Sequence, residues 1–262
     1  MKPVTLITGA SAGIGAELAR VFAGHGHELV LIARREDKLE ALADEIAAAG
    51  GPRPTVLSMD LARRDAIPTL AAELAARELE PEIIVNNAGF GLVGRAARLS
   101  RDEQLAMIDL NVRALTELSL TFVDSLARHR GGILNVASVA AFSPGPGMAV
   151  YYASKAYVLS LSEALHQEYG RRGIRVTALC PGPVPTEFQQ RAGLRDERSQ
   201  TALLSLSAER VARIGYDGFM RGKRVVVAGF GNRVAVFLLR IIPNALLLPL
   251  VYVGTRWAER HS

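Results

Sequence analysis

A tyrosine and a lysine near the middle of the chain have the types and spacing of a proton-transfer pair. Tyr151 and Lys155 are four residues apart, so a helix beginning near Tyr151 would place both side chains on one face. A free phenol has a pKa of about 10, and a nearby ammonium favours the phenolate, which brings the group towards the range that suits general acid–base catalysis. Ser138 follows a predicted buried strand at 132–137, and its hydroxyl could hold a substrate oxygen beside the tyrosine. The same spacing also fits an ordinary amphipathic helix with a half-buried tyrosine and a solvated lysine.

The composition is that of a globular chain that can bury a sizeable core. The chain has 262 residues, of which 49% are hydrophobic and 22% charged, and this length suits a single large α/β domain. The net charge of +5 is spread along predicted helices in which basic and acidic residues alternate, which argues against a nucleic-acid binder. Cys180 is the single cysteine, so no internal disulfide can form and a reducing compartment is indicated. Because Met1-Lys2-Pro3 leads straight into a predicted core strand, we predict no signal peptide and a cytoplasmic protein.

A glycine-rich turn follows the first predicted strand, at 4–8, and precedes a predicted helix at 16–23. Gly9, Gly13 and Gly15 would let the backbone approach a pyrophosphate, and the new helix would offer free N–H groups and its positive dipole end. The spacing is Gly-x-x-x-Gly-x-Gly rather than the commoner Gly-x-Gly-x-x-Gly. A tight strand–helix turn without a ligand therefore stays open as the alternative.

Two arginines follow the second predicted strand, at 28–33. An acidic side chain at this position bonds the ribose 2′-hydroxyl of NAD, whereas arginine accommodates the 2′-phosphate of NADP. The planar forks of Arg34 and Arg35 match phosphate geometry, so the sequence predicts NADP(H) as the cofactor. Two solvated arginines are the alternative.

Strands and helices alternate along the rest of the chain. Further strands are predicted at 55–59, 83–85, 132–137, 174–179 and 224–228, and helices are predicted to 49, to 79, and at 114–128 and 151–171, with a polar helical stretch at 186–215. This alternation predicts an α/β fold, a Rossmann-type doubly wound parallel sheet of about seven strands with helices on both faces. Ligands of such sheets bind at the carboxyl ends of the strands, where every motif above lies. Asn111 interrupts an apolar helical face and is either a satisfied buried amide or a functional residue.

Taken together, the motifs resemble the classical short-chain dehydrogenase/reductase family. The matching pieces are the segments 8–15, 86–89 and 181–182 together with Asn111, Ser138, Tyr151 and Lys155. The resemblance covers about residues 1–190. It implies an NADP(H)-dependent carbonyl reductase that transfers a hydride between the nicotinamide and a ketone or secondary alcohol, without a metal.

The resemblance also implies individual roles. Tyr151 would be the general acid/base, Lys155 would lower its pKa and hold the nicotinamide ribose, and Ser138 would orient the substrate oxygen. Asn111 would position a water in a proton relay. The expected cofactor-binding residues are Gly9, Ser11, Ala12, Gly13, Ile14, Gly15, Arg34, Arg35, Asp60, Leu61, Asn87, Ala88, Gly89, Tyr151, Lys155, Pro181, Gly182, Val184 and Thr186. Among them, Asp60 and Leu61 would lie beside the adenine, and Thr186 near the nicotinamide amide.

The C-terminal part departs from many family members. Residues 1–230 form the predicted catalytic domain, and 231–262 form an extension whose apolar core at 234–253 contains Arg240, Pro243 and Pro249. The charge and the prolines weaken a membrane span, which leaves packing or subunit contact, or association with a membrane surface. The extension looks like that of long-chain ketoacyl or hydroxysteroid reductases. We therefore expect an apolar lid or interface beside the site, a hydrophobic substrate, peripheral membrane contact as a secondary role, and a homodimer or homotetramer.

A second function class remains open at this stage. A relative that has lost turnover could serve as an NADP-binding scaffold or a redox sensor. The complete set of Asn111, Ser138, Tyr151 and Lys155 favours the enzyme, since a non-catalytic protein has no chemical need for all four.

Overall fold

Seven parallel strands form the centre of the protein, in the order β3-β2-β1-β4-β5-β6-β7. The computed structural model describes residues 1–192 and 204–243, together with 245 and 248. The strands are β1 (Lys2–Thr8), β2 (Leu29–Ala33), β3 (Thr55–Ser58), β4 (Leu79–Asn86), β5 (Gly132–Val136), β6 (Arg175–Cys180) and β7 (Val225–Val227). The predicted fold class is confirmed.

Helices cover both faces of this sheet. They are α1 (Gly13–Gly24), α2 (Glu36–Ala48), α3 (Ala66–Ala76), α4 (Arg101–Ile108), α5 (Leu115–Thr121), α6 (Val123–Arg128), α7 (Ala149–Gly170), α8 (Glu187–Ala192), α9 (Ala208–Met220) and α10 (Phe230–Ile241). A π-helical turn (Asp109–Ala114) joins α4 to α5, and a 3₁₀ turn (Val139–Phe142) follows β5.

The core lies in two layers because strand side chains alternate between the faces of the sheet. On one face Ile7, Leu31 and Val85 pack in a cluster with residues of α1, α2 and α9. On the other face Leu6 and Ile84 pack in a cluster with residues of α3 and α7. Strands buried on both faces read as continuous apolar runs, which is why the sequence pattern located most of them.

The order of the strands reverses at β1, which pairs with β2 on one side and with β4 on the other. The connections from the carboxyl ends of β1 and β4 leave on opposite faces at such a point, and the crevice between them binds ligands. The glycine turn follows β1 and the Asn86–Gly89 motif follows β4, so the topology brings these two motifs together.

Three predicted elements have different bounds in the structure. The predicted helix to 79 ends at Ala76, and β4 begins at Leu79 rather than 83. The early part of β4 was not predicted because Glu80 interrupts its apolar pattern. In the structure the Glu80 carboxylate pairs with Arg128 and His129. The predicted helix at 114–128 is preceded by the π turn and is interrupted between α5 and α6.

The described part of the apolar extension is helical. The predicted domain boundary at 230/231 falls one residue inside α10, and the rest of the extension (244–262, apart from 245 and 248) lies outside the described residues, as does 193–203 of the predicted helical stretch at 186–215. Within the described ranges, every helix is too short or too polar to cross a membrane.

The side-chain nitrogens of Asn86, which ends β4, and of Asn87, which follows it, both donate hydrogen bonds, whereas Asn86 Oδ1 is buried without a partner among the described residues. The side-chain nitrogen of Asn86 donates to Ser119 Oγ at 3.1 Å and to Asn135 Oδ1 at 2.9 Å. Asn135 on the neighbouring strand β5 donates in turn to Ser162 Oγ of α7 at 2.9 Å. This buried polar chain fixes α5 and α7 against the carboxyl half of the sheet.

Gly15 allows α1 to approach the ends of β1 and β4 closely. A Cβ atom at this position would lie 2.3 Å from Gly9 O and 2.4 Å from Asn87 Nδ2. The glycine is therefore required for packing.

We predict that Gly15→Ala lowers the free energy of unfolding by about 1–3 kcal/mol, because the added methyl group has no space. Gly24→Ala is the matched control in the same helix, since a Cβ there meets no atom within 4 Å. It should leave that energy unchanged or raise it by up to about 1 kcal/mol through helix propensity. Chemical denaturation measures both, and equal effects of the two substitutions would contradict the packing argument.

Candidate functional site

A cleft of about 810 Å³ opens at the carboxyl ends of the strands. The glycine turn lines one end, and Ser138, Tyr151 and Lys155 line the other. All predicted site residues line this cleft except Gly15 and Asn111, which lie behind its wall. The sequence did not single out Phe90, Leu110, Met148, Tyr152, Glu187 and Phe188, which also line it.

The glycine turn forms a cradle in which side chains would not fit. Gly9 and Gly13 have φ values of +66° and +58°, the left-handed region that favours glycine. A Cβ on Gly13 would lie 3.1 Å from Thr186 Cγ2 across the cleft. Ala12 precedes α1 without a side-chain cap, and the first turn of α1 contains no acidic residue. The start of α1 therefore offers N–H groups and a positive dipole end to an anion, which fits the pyrophosphate of a dinucleotide.

Thr8 and Asn87 hold this turn against the end of β4. The hydroxyl oxygen of Thr8 accepts hydrogen bonds from the backbone N–H groups of Asn87 (2.9 Å) and Ala88 (3.0 Å). The Asn87 side chain donates to Thr8 O at 2.9 Å and to Gly9 O at 3.2 Å. These bonds fix the floor of the cleft before any ligand binds.

Three basic side chains gather where β2 ends. The Arg34 side chain is exposed and makes no ion pair within the described ranges. Arg35 Nη2 donates to Ser11 Oγ at 3.0 Å, and Arg35 Nη1 lies 2.8 Å from a carboxylate oxygen of Glu187. Lys38, one turn into α2, contacts the same carboxylate. The sequence analysis did not predict Lys38 as part of this basic cluster, although its position in the helix that follows Arg35 indicated it.

Asp60 and Leu61 lie at the end of β3, and both line the same end of the cleft. Asp60 Oδ1 accepts a hydrogen bond from the backbone N–H of Ala62 at 3.0 Å, which fixes the direction of the carboxylate. Leu61 is buried in the core beneath this end.

Tyr151 and Lys155 lie on the first turns of α7 and are both buried. Lys155 Nζ donates to Val136 O at 2.8 Å, and it lies 5.9 Å from the centre of the Tyr151 ring. Ser138 begins the 3₁₀ turn after β5, where its hydroxyl accepts a hydrogen bond from Ala140 N at 3.1 Å. The carboxyl end of β5 and the start of α7 therefore hold the three side chains in one wall of the cleft.

Burial dominates the protonation of this pair. It raises the pKa of Tyr151 to about 12, although the Ser138 hydroxyl opposes the change by favouring the phenolate. It also lowers the pKa of Lys155 to about 8. Burial, and not the ammonium of Lys155, governs this shift, so the expectation that the ammonium brings the phenol into the working range stays a prediction. At neutral pH Tyr151 keeps its proton.

Asn111 is a fully satisfied buried amide in this structure. Its Nδ2 donates to Phe90 O at 2.9 Å and to Ser154 Oγ at 3.1 Å, and its Oδ1 accepts from Phe90 N at 3.1 Å. Ser154 donates in turn to Tyr151 O at 2.7 Å. The π turn that carries Asn111 directs it inward, and π turns are frequent at functional sites. Its contacts thus connect the π turn to the helix that carries Tyr151.

Apolar side chains surround the end of the cleft that contains Tyr151. Phe90 and Ala140 pack with Tyr151, and the ring centre of Phe188 lies 5.4 Å from that of Tyr151. The Tyr152 ring packs over Gly145, where a Cβ would lie 2.3 Å from it. This end of the cleft suits an apolar group beside the hydroxyls of Ser138 and Tyr151.

The helix α10 supports the cleft from behind without lining it. The Asn232 side chain is buried and donates to Ala228 O at 2.7 Å and to Leu204 O at 3.0 Å. A Cβ on Gly182 would lie 2.4 Å from Asn232 Oδ1, so this side chain supports the Pro181–Gly182 segment. No described residue of α10 lines the cleft, and the predicted lid or interface formed by the extension stays a prediction.

Sequence comparison places this geometry in a family. A family model described as short chain dehydrogenase matches residues 3–197. The NADP-dependent 3-hydroxy acid dehydrogenase YdfG of Salmonella typhi is 35% identical to this chain over 188 residues, which cover 71% of this chain and 74% of that protein.

Solved structures agree with the sequence match. A short-chain dehydrogenase from Sphingobium yanoikuyae in complex with NADPH has a TM-score of 0.80 and 33% identity, over 92% of this chain and 96% of that one. A short chain dehydrogenase/reductase from Burkholderia phymatum in complex with NAD has a TM-score of 0.78 and 26% identity, over 90% of this chain and 92% of that one. The chain therefore belongs to the short-chain dehydrogenase family, and it is an oxidoreductase that uses a nicotinamide dinucleotide.

Proposed function

We propose that this protein is an NADP(H)-dependent reductase of ketones with apolar substituents. The observation that carries the proposal is a protonated, buried Tyr151 beside Ser138 and Lys155, at one end of a cleft whose other end holds Arg34. A proton donor and a dinucleotide cradle in one cleft are what carbonyl reduction requires.

The residues of the chain divide the work between binding and proton transfer. When bound, NADPH supplies the hydride that is added to the carbonyl carbon. Ser138 orients the carbonyl oxygen, and the Tyr151 hydroxyl donates its proton to that oxygen as the alcohol forms. Lys155 holds the nicotinamide ribose and provides a positive charge near the phenol after the proton has left. Asn111 fixes the helix that carries Tyr151 through Ser154.

The protonation state supports the role of Tyr151 as the proton donor in carbonyl reduction at neutral pH. A phenol with a pKa of about 12 is almost entirely protonated at neutral pH, so it is present in the form that can donate a proton. Alcohol oxidation would need the phenolate, which burial disfavours.

The lining of the cleft supports an apolar substrate. Phe90, Met148, Tyr152 and Phe188 lie around Tyr151, and Lys155 is the one charged side chain among the described residues at this end. An apolar ketone buries its substituents against these rings, whereas a keto acid would place a carboxylate there at a desolvation cost.

Tyr151→Phe should reduce the turnover of an apolar ketone with NADPH by at least about 100-fold, because the ring still packs and only the proton donor is lost. Cofactor affinity should stay within about twofold. Tyr152→Phe, the neighbouring residue in the same helix, should keep most of the activity. Steady-state kinetics and calorimetry measure both effects. Loss of activity in Tyr152→Phe with activity kept in Tyr151→Phe would show that the proposed tyrosine is wrong, and a protein that binds NADPH but reduces no ketone would favour the scaffold or sensor.

The choice of cofactor rests on Arg34 and Arg35. We expect NADPH to bind more tightly than NADH, and Arg34→Asp to lower that preference by roughly 10- to 100-fold, since hydrogen bonds to charged groups contribute about 1.5–3 kcal/mol. Arg101→Asp, at an exposed arginine outside the cleft, is the control and should not change the ratio. Equal calorimetric affinities of the unaltered protein for NADH and NADPH would refute the assignment.

We also propose a homodimer or homotetramer in the cytoplasm. Exposed apolar side chains on α4, α5 and α7, namely Leu105, Ile108, Leu120 and Tyr157, support a subunit contact on that side of the molecule.

Peripheral contact with an anionic membrane is our proposal for α10. Phe230, Val234, Phe237, Leu238 and Ile241 recur at helical spacing on its outer face, with Phe230 80% and Phe237 63% exposed. The same helix carries exposed arginines at 233 and 240, and residues 218–258 contain no aspartate or glutamate. A second copy of this helix would supply no carboxylate for those arginines, whereas anionic lipid headgroups would.

Phe237→Glu should weaken binding to vesicles of phosphatidylcholine and phosphatidylserine by roughly tenfold or more. The substitution replaces a ring that the proposal inserts into the lipid with a negative charge, which the anionic headgroups repel. Met220→Glu, at an exposed apolar residue of α9, is the control. Sedimentation with vesicles measures the effect. If the unaltered protein does not bind these vesicles, the membrane proposal is wrong, and the exposed apolar face of α10 is then expected to contact a protein.

A further inference from the structure

The carboxylate of Glu187 bridges two of the basic side chains at the end of β2. It begins α8 on the opposite side of the cleft, with Oε2 2.8 Å from Arg35 Nη1 and Oε1 2.5 Å from Lys38 Nζ. Arg35 also donates to Ser11 Oγ in the glycine turn at 3.0 Å. A continuous set of contacts therefore runs from the glycine turn through Arg35 to α8.

The first turn of α2 also contains Glu36 and Asp37, but neither of them pairs with Arg35 or Lys38 among the described residues. Arg35 and Lys38 lie directly before and within the first turn of α2, where the helix dipole disfavours positive charge. An anion placed between them removes that conflict. Glu187 is that anion in the structure, and hydrogen bonds from Lys38 and Arg35 hold the pKa of its carboxyl below the ordinary value.

The 2′-phosphate of NADP(H) is directed to the same place, because the end of β2 is where this fold binds the adenosine ribose. Arg35 and Lys38 are thus within reach of two anions, the Glu187 carboxylate and the 2′-phosphate of the cofactor. The hydroxyl that NAD(H) carries at this position has no charge to compete with the carboxylate.

We propose that Glu187 is a cofactor-specificity residue that competes with the 2′-phosphate of NADP(H) for Arg35 and Lys38. The inference rests on the proposed use of NADP(H). Binding of NADP(H) replaces the Glu187 carboxylate at these cations, whereas NAD(H) leaves the ion pairs in place. Arg34, which has no ion pair within the described ranges, is available to the phosphate from the start. Arg34, Arg35 and Lys38 together favour NADP(H) over NAD(H), and Glu187 therefore reduces the ratio of the two affinities.

The proposal also connects the two ends of the cleft. Phe188 follows Glu187 directly in α8 and contacts the ring of Tyr151. Replacing the carboxylate at Arg35 and Lys38 removes the ion pairs that tie the start of α8 to α2. When NADP(H) is bound, α8 is therefore less constrained, and Phe188 can adjust its position beside Tyr151.

The test is Glu187→Gln, which keeps the size of the side chain and removes its charge. We expect it to tighten NADPH roughly three- to tenfold while NADH changes by less than about twofold, since charged hydrogen bonds are about twice as strong as neutral ones. Calorimetry with 2′,5′-ADP and 5′-AMP, which differ only in the 2′-phosphate, measures the effect on that group. The substitution should tighten the binding of 2′,5′-ADP and leave that of 5′-AMP unchanged.

Glu36→Gln is the matched control, because Glu36 begins α2 and makes no ion pair among the described residues. It removes one nearby charge without freeing Arg35 or Lys38, so its effect on the ratio of affinities should be smaller than that of Glu187→Gln. An equal effect of the two variants, or weaker NADPH binding in Glu187→Gln, would overturn the inference. Failure of the unaltered protein to bind either nicotinamide cofactor would instead refute the proposed function.

Discussion

The desolvation of Tyr151 and Lys155 in one wall of the cleft is the constraint on which the rest of the site depends. A phenol and an ammonium are both removed from water there, so the ionic form of each is disfavoured and the neutral phenol is retained. The chain compensates the lysine with a backbone carbonyl at the end of β5. This arrangement is stable because α7, which carries both side chains, is fixed through Ser154 by Asn111, and the polar side-chain atoms of both residues are satisfied.

The parallel sheet gives the cleft its length and its two chemical ends. The glycine turn and the basic cluster follow β1 and β2, while Ser138 and the Pro181–Gly182 segment follow β5 and β6. These strands lie on opposite sides of the point where the strand order reverses, so charge recognition and proton transfer are separated along one groove. The helix α8 crosses between the two ends, with Glu187 at the basic cluster and Phe188 at the tyrosine.

The sequence predicted the sheet, the glycine turn and the residues of both cleft ends, because apolar runs, glycine spacing and strand ends carry that information locally. It did not predict the early part of β4, since Glu80 pairs with Arg128 and His129 only after folding. It also did not predict the Glu187 contacts, which join residues about 150 positions apart. The full burial of Tyr151 was not predicted either, because it depends on Phe90 and Phe188 from distant parts of the chain.

The central claim is that burial keeps Tyr151 protonated until a substrate takes its proton, and the ionisation of this phenol tests it directly. The measurement is the phenolate absorbance of the unaltered protein minus that of Tyr151→Phe, followed in the absence of cofactor as the pH is raised. The account predicts no phenolate from Tyr151 up to pH about 10, where a free tyrosine is half ionised. A difference signal that titrates below that point would contradict the account, because the ammonium of Lys155 would then govern the phenol.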